Sequence, residues 1–333
     1  MAVIKYADSQ TKALPVLHAA DIEKKTEEQG WLIKSLWGRA AVGVIGGQPK
    51  CCKSWLGLDM AVSIASGTAC LSRFQVEQKG TVLVYLAEDS TCMVRGRIED
   101  LCLDRNLDIK QLDLQVITVD CLRLDLLNDQ NRLKATVDRF RPLMLLLDPL
   151  VRIHRLDENS SHDISGLLGF FRQLQRTFDM AVVLVHHASK KHRANIGQSL
   201  RGSSDLHAFG DSNAYLSRNS DKLLLTLEHR AHPAPDPFVL KLVSRADHAG
   251  THLEILSEGF SSQVQPNIKD AVCDLLKNAA APLFRKDIRA RLKVNNHKLG
   301  LALDELEKQG HIKKTKNGCQ LIKNTTFIGA GLL

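Results

Sequence analysis

Gly46-Gly-Gln-Pro-Lys-Cys-Cys-Lys-Ser-Trp55, standing behind the apolar run Ala41–Ile45, decides how this chain is read. Holding a polyphosphate takes successive backbone N–H groups curled around the β-phosphate and a lysine that reaches the β/γ-phosphates. It also takes a hydroxyl that ligates Mg²⁺ from the first turn of a helix. Gly47, Lys53 and Ser54 stand at the spacing of those three roles, and Gln48, Pro49, Lys50, Cys51, Cys52 and Trp55 complete the loop. The usual pattern G-x-x-x-x-G-K-[ST] has its second glycine where this chain has Cys52. Cysteine is small and can serve if that position needs little room rather than a positive φ. An ordinary Gly-Pro turn is the plainer alternative, but the strand before and the helix after favour a site for ATP and Mg²⁺.

The rest of the chain bounds the setting. Its 333 residues suit about two domains, one large and one small. With 44% hydrophobic and 25% charged residues it has the composition of a soluble globular protein. No apolar run approaches the ~18 residues of a membrane span, and Met1–Asp8 lacks the apolar core of a signal peptide. The expectation is a cytoplasmic protein with no membrane partner. Eight cysteines, at 51, 52, 70, 92, 102, 121, 273 and 319, form no C-x-x-C pair. They are expected to be buried thiols rather than zinc ligands or disulfides. His162, Asp163, His192 and His207 show no metal-ligand spacing and read as loop and core residues.

The net charge of +8 is local. Residues 267–323 hold 13 Lys+Arg against 6 Asp+Glu, leaving 32 against 31 elsewhere. A charge excess confined to one compact segment suits nucleic acid, with a solubilising surface as the plainer alternative.

From Trp31 onward short β-rich apolar runs alternate with helix-length stretches: Ala41–Ile45 then Ser54–Ser66, Thr81–Leu86 then Thr91–Asn106, Leu114–Thr118 then Asn131–Phe140, Leu143–Asp148 then Ser165–Phe178, and Ala181–His186. Strands without strict alternation, spaced by helices, predict an α/β domain whose parallel sheet is buried on both faces. Beyond about residue 210, Asn213–Leu216, Lys222–Glu228, Phe238–Val243 and Leu253–Leu256 predict antiparallel strands that extend the sheet. The expected organisation is an arm at 1–30, the α/β domain at 31–257, a linker at 258–266, a small domain at 267–323 and a tail at 324–333. In the small domain Ile268–Asn278, Lys286–Leu292 and Asn296–Gln309 predict helices, and Asn317-Gly318 predicts a hairpin turn within His311–Ile322. Three helices and a hairpin resemble a winged helix-turn-helix. Asn296, His297 and Lys298 would then lead a helix into the major groove, and Lys313, Lys314 and Lys316 would meet phosphates.

Four further stretches end at the edge where open parallel sheets bind ligands. Leu143–Asp148 is an apolar strand ending in an acid, so Asp148 is the candidate to hold Mg²⁺ through its water shell and orient Ser54. Leu83-Val-Tyr-Leu-Ala-Glu-Asp89 ends in paired acids, with Glu88 the candidate general base and helix capping from Ser90 the plainer role for both acids. Ala181–His187 ends in two histidines, one of which could hydrogen-bond the γ-phosphate and report its loss to the basic loop that holds Lys190, Lys191, His192 and Arg193. Arg201, in Arg201-Gly-Ser-Ser-Asp205, is the first candidate for a cation reaching a neighbouring subunit's nucleotide, with Arg218 and Arg230 as alternatives.

Taken together, Gly-x-Pro-Lys-x-x-Lys-Ser-Trp at 47–55, Ala-Glu-Asp-Ser at 87–90, Leu-Asp-Pro-Leu-Val-Arg at 147–152, Val-His-His-Ala at 185–188 and Arg-Gly-Ser-Ser at 201–204 carry a resemblance. From Trp31 to about Val243 the chain resembles the RecA-like hexameric ATPases, particularly the branch of plasmid replicative helicases and AAA-type ATPases of phage and mobile elements. The resemblance implies a P-loop core, Glu88 as catalytic acid/base, Asp148 on the metal, a γ-phosphate sensor from the pair 186–187 and Arg201 as a finger acting in trans. It therefore implies self-association into a ring, a hexamer, working on DNA. A nucleotide-switched DNA-binding regulator or recruitment ATPase without helicase activity is the competing reading, and a ring that remodels proteins is a third.

Overall fold

The computed structural model describes residues 16–22, 26, 30–158, 160–187, 204–219, 222–244, 250–256, 268–279, 281–292, 296–315 and 318–322. The chain divides into two compact units, Met1–Leu256 and Ser257–Leu333.

The first unit is built on one nine-stranded sheet. Its strands are β3 (Val42–Gly47), β4 (Val82–Leu86), β5 (Leu114–Val116), β6 (Met144–Asp148), β7 (Ala181–His187), β8 (Ser212–Asn219), β9 (Lys222–His229), β10 (Phe238–Ser244) and β11 (Thr251–Ile255). They lie in the order β11-β10-β9-β8-β3-β7-β6-β4-β5. Pairing is parallel from β8 through β3, β7, β6 and β4 to β5, and antiparallel from β8 outward to β11. One expectation is corrected here. The strand at residue 213 belongs to the parallel set, in register Ile45↔Ala214 to Gly47↔Leu216. The short helix α5 (Ser204–Phe209) precedes it, too brief to leave a periodic signal in the sequence.

Strand alternation distributes the apolar side chains into two cores. Ile45, Met144, Leu146, Val183 and Val185 face α1 (Lys53–Ser66) and α2 (Thr91–Asp104). Val42, Val44, Leu145, Leu147, Val182 and Leu184 face α3 (Leu127–Phe140) and α4 (Ser161–Phe178). Burial on both faces is why the strands read as unbroken apolar runs. The central strand tolerates no side chain at Gly43, where a Cβ would lie 1.7 Å from the Ser212 carbonyl oxygen of β8. A two-stranded hairpin, β1 (Trp31–Ile33) and β2 (Trp37–Gly38), was not legible in the sequence. Its Trp37 is buried and donates Nε1–H to the Ala41 carbonyl at 3.3 Å, tying the hairpin to the start of β3.

A buried ion pair joins α1 to the end of α2. Asp59 accepts from Arg105 Nη2 at 2.7 Å and from the Leu71 N–H at 2.9 Å. The side chains are 1% and 6% exposed. The expectation of buried thiols holds for Cys51, Cys70, Cys102 and Cys319, but Cys92 and Cys121 are exposed, one in the first turn of α2 and one in the loop after β5.

In the second unit α6 (Ile268–Lys277), α7 (Arg285–Leu292) and α8 (Asn296–Lys308) surround Val272, Leu276, Ile288, Leu299, Leu303 and Leu306. A hairpin of β12 (Ile312–Thr315) and β13 (Gly318–Leu321) closes this core with Ile312 and Cys319.

Candidate nucleotide site

The β3–α1 turn lies at the carboxyl edge of the parallel strands, where such sheets leave a crevice. Gly47 allows β3 to pass close to β8, since a Cβ there would meet the Leu216 carbonyl oxygen at 2.2 Å. Cys52 is the N-cap of α1 and has φ +60°, and Lys50 has φ +63°. The expectation that Cys52 merely needs little room is therefore corrected: its backbone is left-handed, at a cost of roughly 1–2 kcal/mol for an L residue. The helix N-terminus points its free N–H groups at the crevice.

A cleft of about 310 Å³ opens there, lined by the loop from Lys50 to Trp55 together with Leu86, Glu88, Asp89, Arg97, Asp148 and His187. Gly47, Gln48 and Pro49 lead into it from β3. Lys53 is 5% exposed and donates from Nζ to the Gln48 carbonyl at 2.8 Å, so its ammonium is held by the loop itself. Burial pulls its pKa below the ordinary lysine value.

Asp148, at the end of β6, is 7% exposed. Burial pushes its carboxyl up to about 6, against the opposing hydrogen bond from Ser54 and the charge of Lys53. Its Oδ2 is buried without a hydrogen-bond partner. A buried carboxylate oxygen with a spare lone pair, beside a hydroxyl and an ammonium, suits a divalent cation that carries its own charge into the site.

The metal-free protein should show this cost directly. Between pH 4 and 6 the native carboxyl holds a proton that the unfolded chain has released, so stability falls as pH rises through that range and stays reduced above it. Two units correspond to roughly 3 kcal/mol. Asp148→Asn should flatten the Tm-against-pH profile and raise Tm at pH 7.5; a parallel profile in the variant would contradict the assignment.

The paired acids diverge. Asp89 receives two hydrogen bonds from Arg97, at 2.6 and 3.1 Å, and the Arg97 guanidinium lies 5.7 Å from the Trp55 ring centroid. Glu88 accepts from Arg152 Nε at 2.7 Å, and both of those side chains are exposed. Neither acid caps α2: that is done by Ser90, which accepts from the Met93 N–H at 3.3 Å.

The histidines are split by the two-residue period of β7. His187 lines the cleft, in register with Gly47. His186 is buried on the other face, its Nδ1 3.7 Å from Glu158 Oε1, an oxygen that also lies 3.5 Å from His154 Nε2.

Arg201 and the basic stretch Lys190, Lys191, His192 and Arg193 lie outside the described residues. Arg230 is engaged at the opposite end of the sheet, 3.0 Å from Asp211, whose N–H bonds the Val42 carbonyl. Arg218 does something the sequence did not announce. From the end of β8 its Nη2 donates to the Lys50 carbonyl at 2.9 Å and lies 3.7 Å from Cys52 Sγ, within the same chain. Arg97 and Arg152 are likewise site neighbours that sequence reasoning gave no role; both reach the acids through tertiary contacts that carry no local signal.

In the second unit Asn296, His297 and Lys298 open α8, and Lys313 is exposed on β12. Lys314 is taken up by α8, 2.5 Å from Asp304 and 2.9 Å from Glu307. Its expected contact with phosphates would require breaking those pairs. Lys316 lies outside the described residues. Exposed cations instead gather on α7, at Lys286, Arg289 and Arg291.

Comparison with known proteins adds the following. A family model described as AAA domain matches residues 7–193. No curated protein matches the chain. Among solved structures, an ATPase domain solved by itself superposes with a TM-score of 0.50 at 13% identity, covering 65% of this chain and 86% of that one. A DnaB-like replicative helicase, solved in a study of its interactions with primase, gives 0.50 at 13%, covering 64% and 57%. The RadB recombinase gives 0.48 at 14%, covering 64% and 90%. At these identities the likeness is one of fold, a RecA-like α/β core. No described helix is long and apolar enough to cross a membrane.

Proposed function

The chain belongs to the AAA domain family and is an ATPase, and we propose that it hydrolyses ATP with Mg²⁺ in the β3–α1 cleft, as a homo-oligomeric ring coupled to DNA. The observation that carries this reading is the convergence of Lys53, Ser54, Asp148, Glu88 and His187, from four separate strand ends, on one cleft. When bound, Mg²⁺ neutralises charge on the phosphates; Ser54 and Asp148 would hold it, the latter through water. Lys53 exchanges the Gln48 carbonyl for the β/γ-phosphates. Glu88 orients and deprotonates the attacking water once Arg152 yields it, within the reach of one water that a general base needs. His187, rather than His186, senses the γ-phosphate, because it is the one on the cleft side of the strand.

Arg201 acting in trans, the ring, the plasmid or mobile-element replicative role and the winged-helix identity of residues 267–323 belong to this proposal. So does DNA binding by the second unit. Its charge excess supports that role, with the α7 cations and Lys313 meeting phosphates more readily than Lys314 does. The cytoplasm is the proposed location.

The test is the ATPase rate of the full chain against single-stranded and duplex DNA, at two salt concentrations. Several-fold stimulation by single strands, weakening with salt, is expected of a motor. A slow rate indifferent to DNA would favour a nucleotide-switched regulator, and absence of salt-sensitive DNA binding would favour a partner other than DNA.

A further inference from the structure

Arg218 stands on β8, the neighbour of β3 on the side away from β7, β6 and β4, and so on the flank of the phosphate loop opposite Asp148 and Glu88. It touches the loop at two residues, Lys50 through the carbonyl oxygen and Cys52 through the sulfur. These are the two non-glycine residues of the loop with left-handed backbone, φ +63° and +60°. Glycine at either position would hold that conformation unaided, whereas an L residue needs support from outside. In a loop whose N–H groups converge on an anion, carbonyls turn outward, and a donor on the Lys50 carbonyl fixes that orientation. An arginine suits the task because its planar fork keeps its charge and meets two acceptors in fixed geometry.

We propose that Arg218 is a positioning residue that acts in cis, clamping the phosphate loop of its own subunit in the form that receives the phosphates. Cys52, standing where a glycine is usual, supplies the clamp's second point of attachment. This assigns Arg218 a different task from a trans finger, since a finger would have to give up both contacts. The proposal rests on the reading of the cleft as an ATP site.

The experiment measures Mg²⁺-ATP affinity, with a fluorescent ATP analogue, and steady-state kinetics for wild type, Arg218→Ala, Arg218→Lys, Cys52→Gly and the double variant Cys52→Gly/Arg218→Ala. Arg218→Ala should weaken binding about 10-fold, equivalent to about 1.4 kcal/mol, with kcat nearly unchanged. Arg218→Lys should recover part of the loss. In the Cys52→Gly background the loss should shrink to under ~3-fold, because a glycine relieves the need for the clamp. Mixing Arg218→Ala with Lys53→Ala subunits should restore no ATPase activity.

An Arg218→Ala protein that binds as wild type does, or an equal penalty in both Cys52 backgrounds, would overturn the clamp. A fall in kcat at unchanged affinity, rescued on mixing with Lys53→Ala subunits, would make Arg218 a trans residue instead. Should wild type itself fail to bind ATP, or Lys53→Ala bind equally well, the reading of the cleft fails and the clamp with it. Arg218 is exposed, so matching Tm values across the series will separate loop effects from unfolding.

Discussion

Glu88→Gln should leave ATP binding within about threefold of wild type and lower kcat by ~10²–10⁴-fold, the contribution of a positioned general base. The amide has the shape of the carboxylate and can still accept from Arg152, which bonds Glu88 Oε1 at 2.7 Å. It cannot take a proton from water. The neighbouring acid provides the control. Asp89 is occupied by two hydrogen bonds from Arg97, so Asp89→Asn should disturb the wall that Arg97 and Trp55 form and alter KM more than kcat. Rapid-quench turnover with binding measured in parallel checks both. A kcat for Glu88→Gln within threefold of wild type would remove Glu88 from the chemistry.

The second large effect is on stability. Asp59→Ala should cost about 3–5 kcal/mol in urea unfolding, because it leaves Arg105 buried without its counter-charge. The same substitution removes the acceptor of the Leu71 N–H. Arg105→Ala should cost a similar amount, and the double variant less than the two singles together. The pair also bears on function, because it locks α1, whose first turn carries Lys53 and Ser54, to α2, which begins just beyond Glu88 and Asp89. A loss under 1 kcal/mol for Asp59→Ala would mean that water reaches the pair.

The parts of this molecule that were legible in the sequence are those where chemistry fixes spacing. The phosphate loop could be read to the residue because backbone, lysine and hydroxyl must meet one polyphosphate. Asp148 and Glu88 followed because acids at the ends of buried apolar strands have few other uses. The sheet was legible as parallel because both faces of β3, β6 and β7 are covered, which erases alternation. What stayed hidden depends on tertiary geometry. The direction of β8 is set by a crossover with only a six-residue described helix, and the β1–β2 hairpin is too short for a pattern. The period of β7 separates His186 from His187, but only the placement of α1 decides which one meets the cleft. The contacts of Arg218, Arg152 and Arg97 and the left-handed backbone at Cys52 left no trace in local sequence. Lys314 looked like a free wing cation because its partners, Asp304 and Glu307, lie on another element.

The central claim is that the β3–α1 cleft hydrolyses ATP. Its most direct test is Mg²⁺-dependent phosphate release by the purified full chain beside Lys53→Ala prepared identically. Lys53 is the cleft's buried cation, held by the Gln48 carbonyl. The account predicts measurable turnover in the wild type, at least ~100-fold less in the variant at an unchanged far-UV spectrum, and none in either without Mg²⁺. Turnover retained in Lys53→Ala, or independent of Mg²⁺, would contradict it.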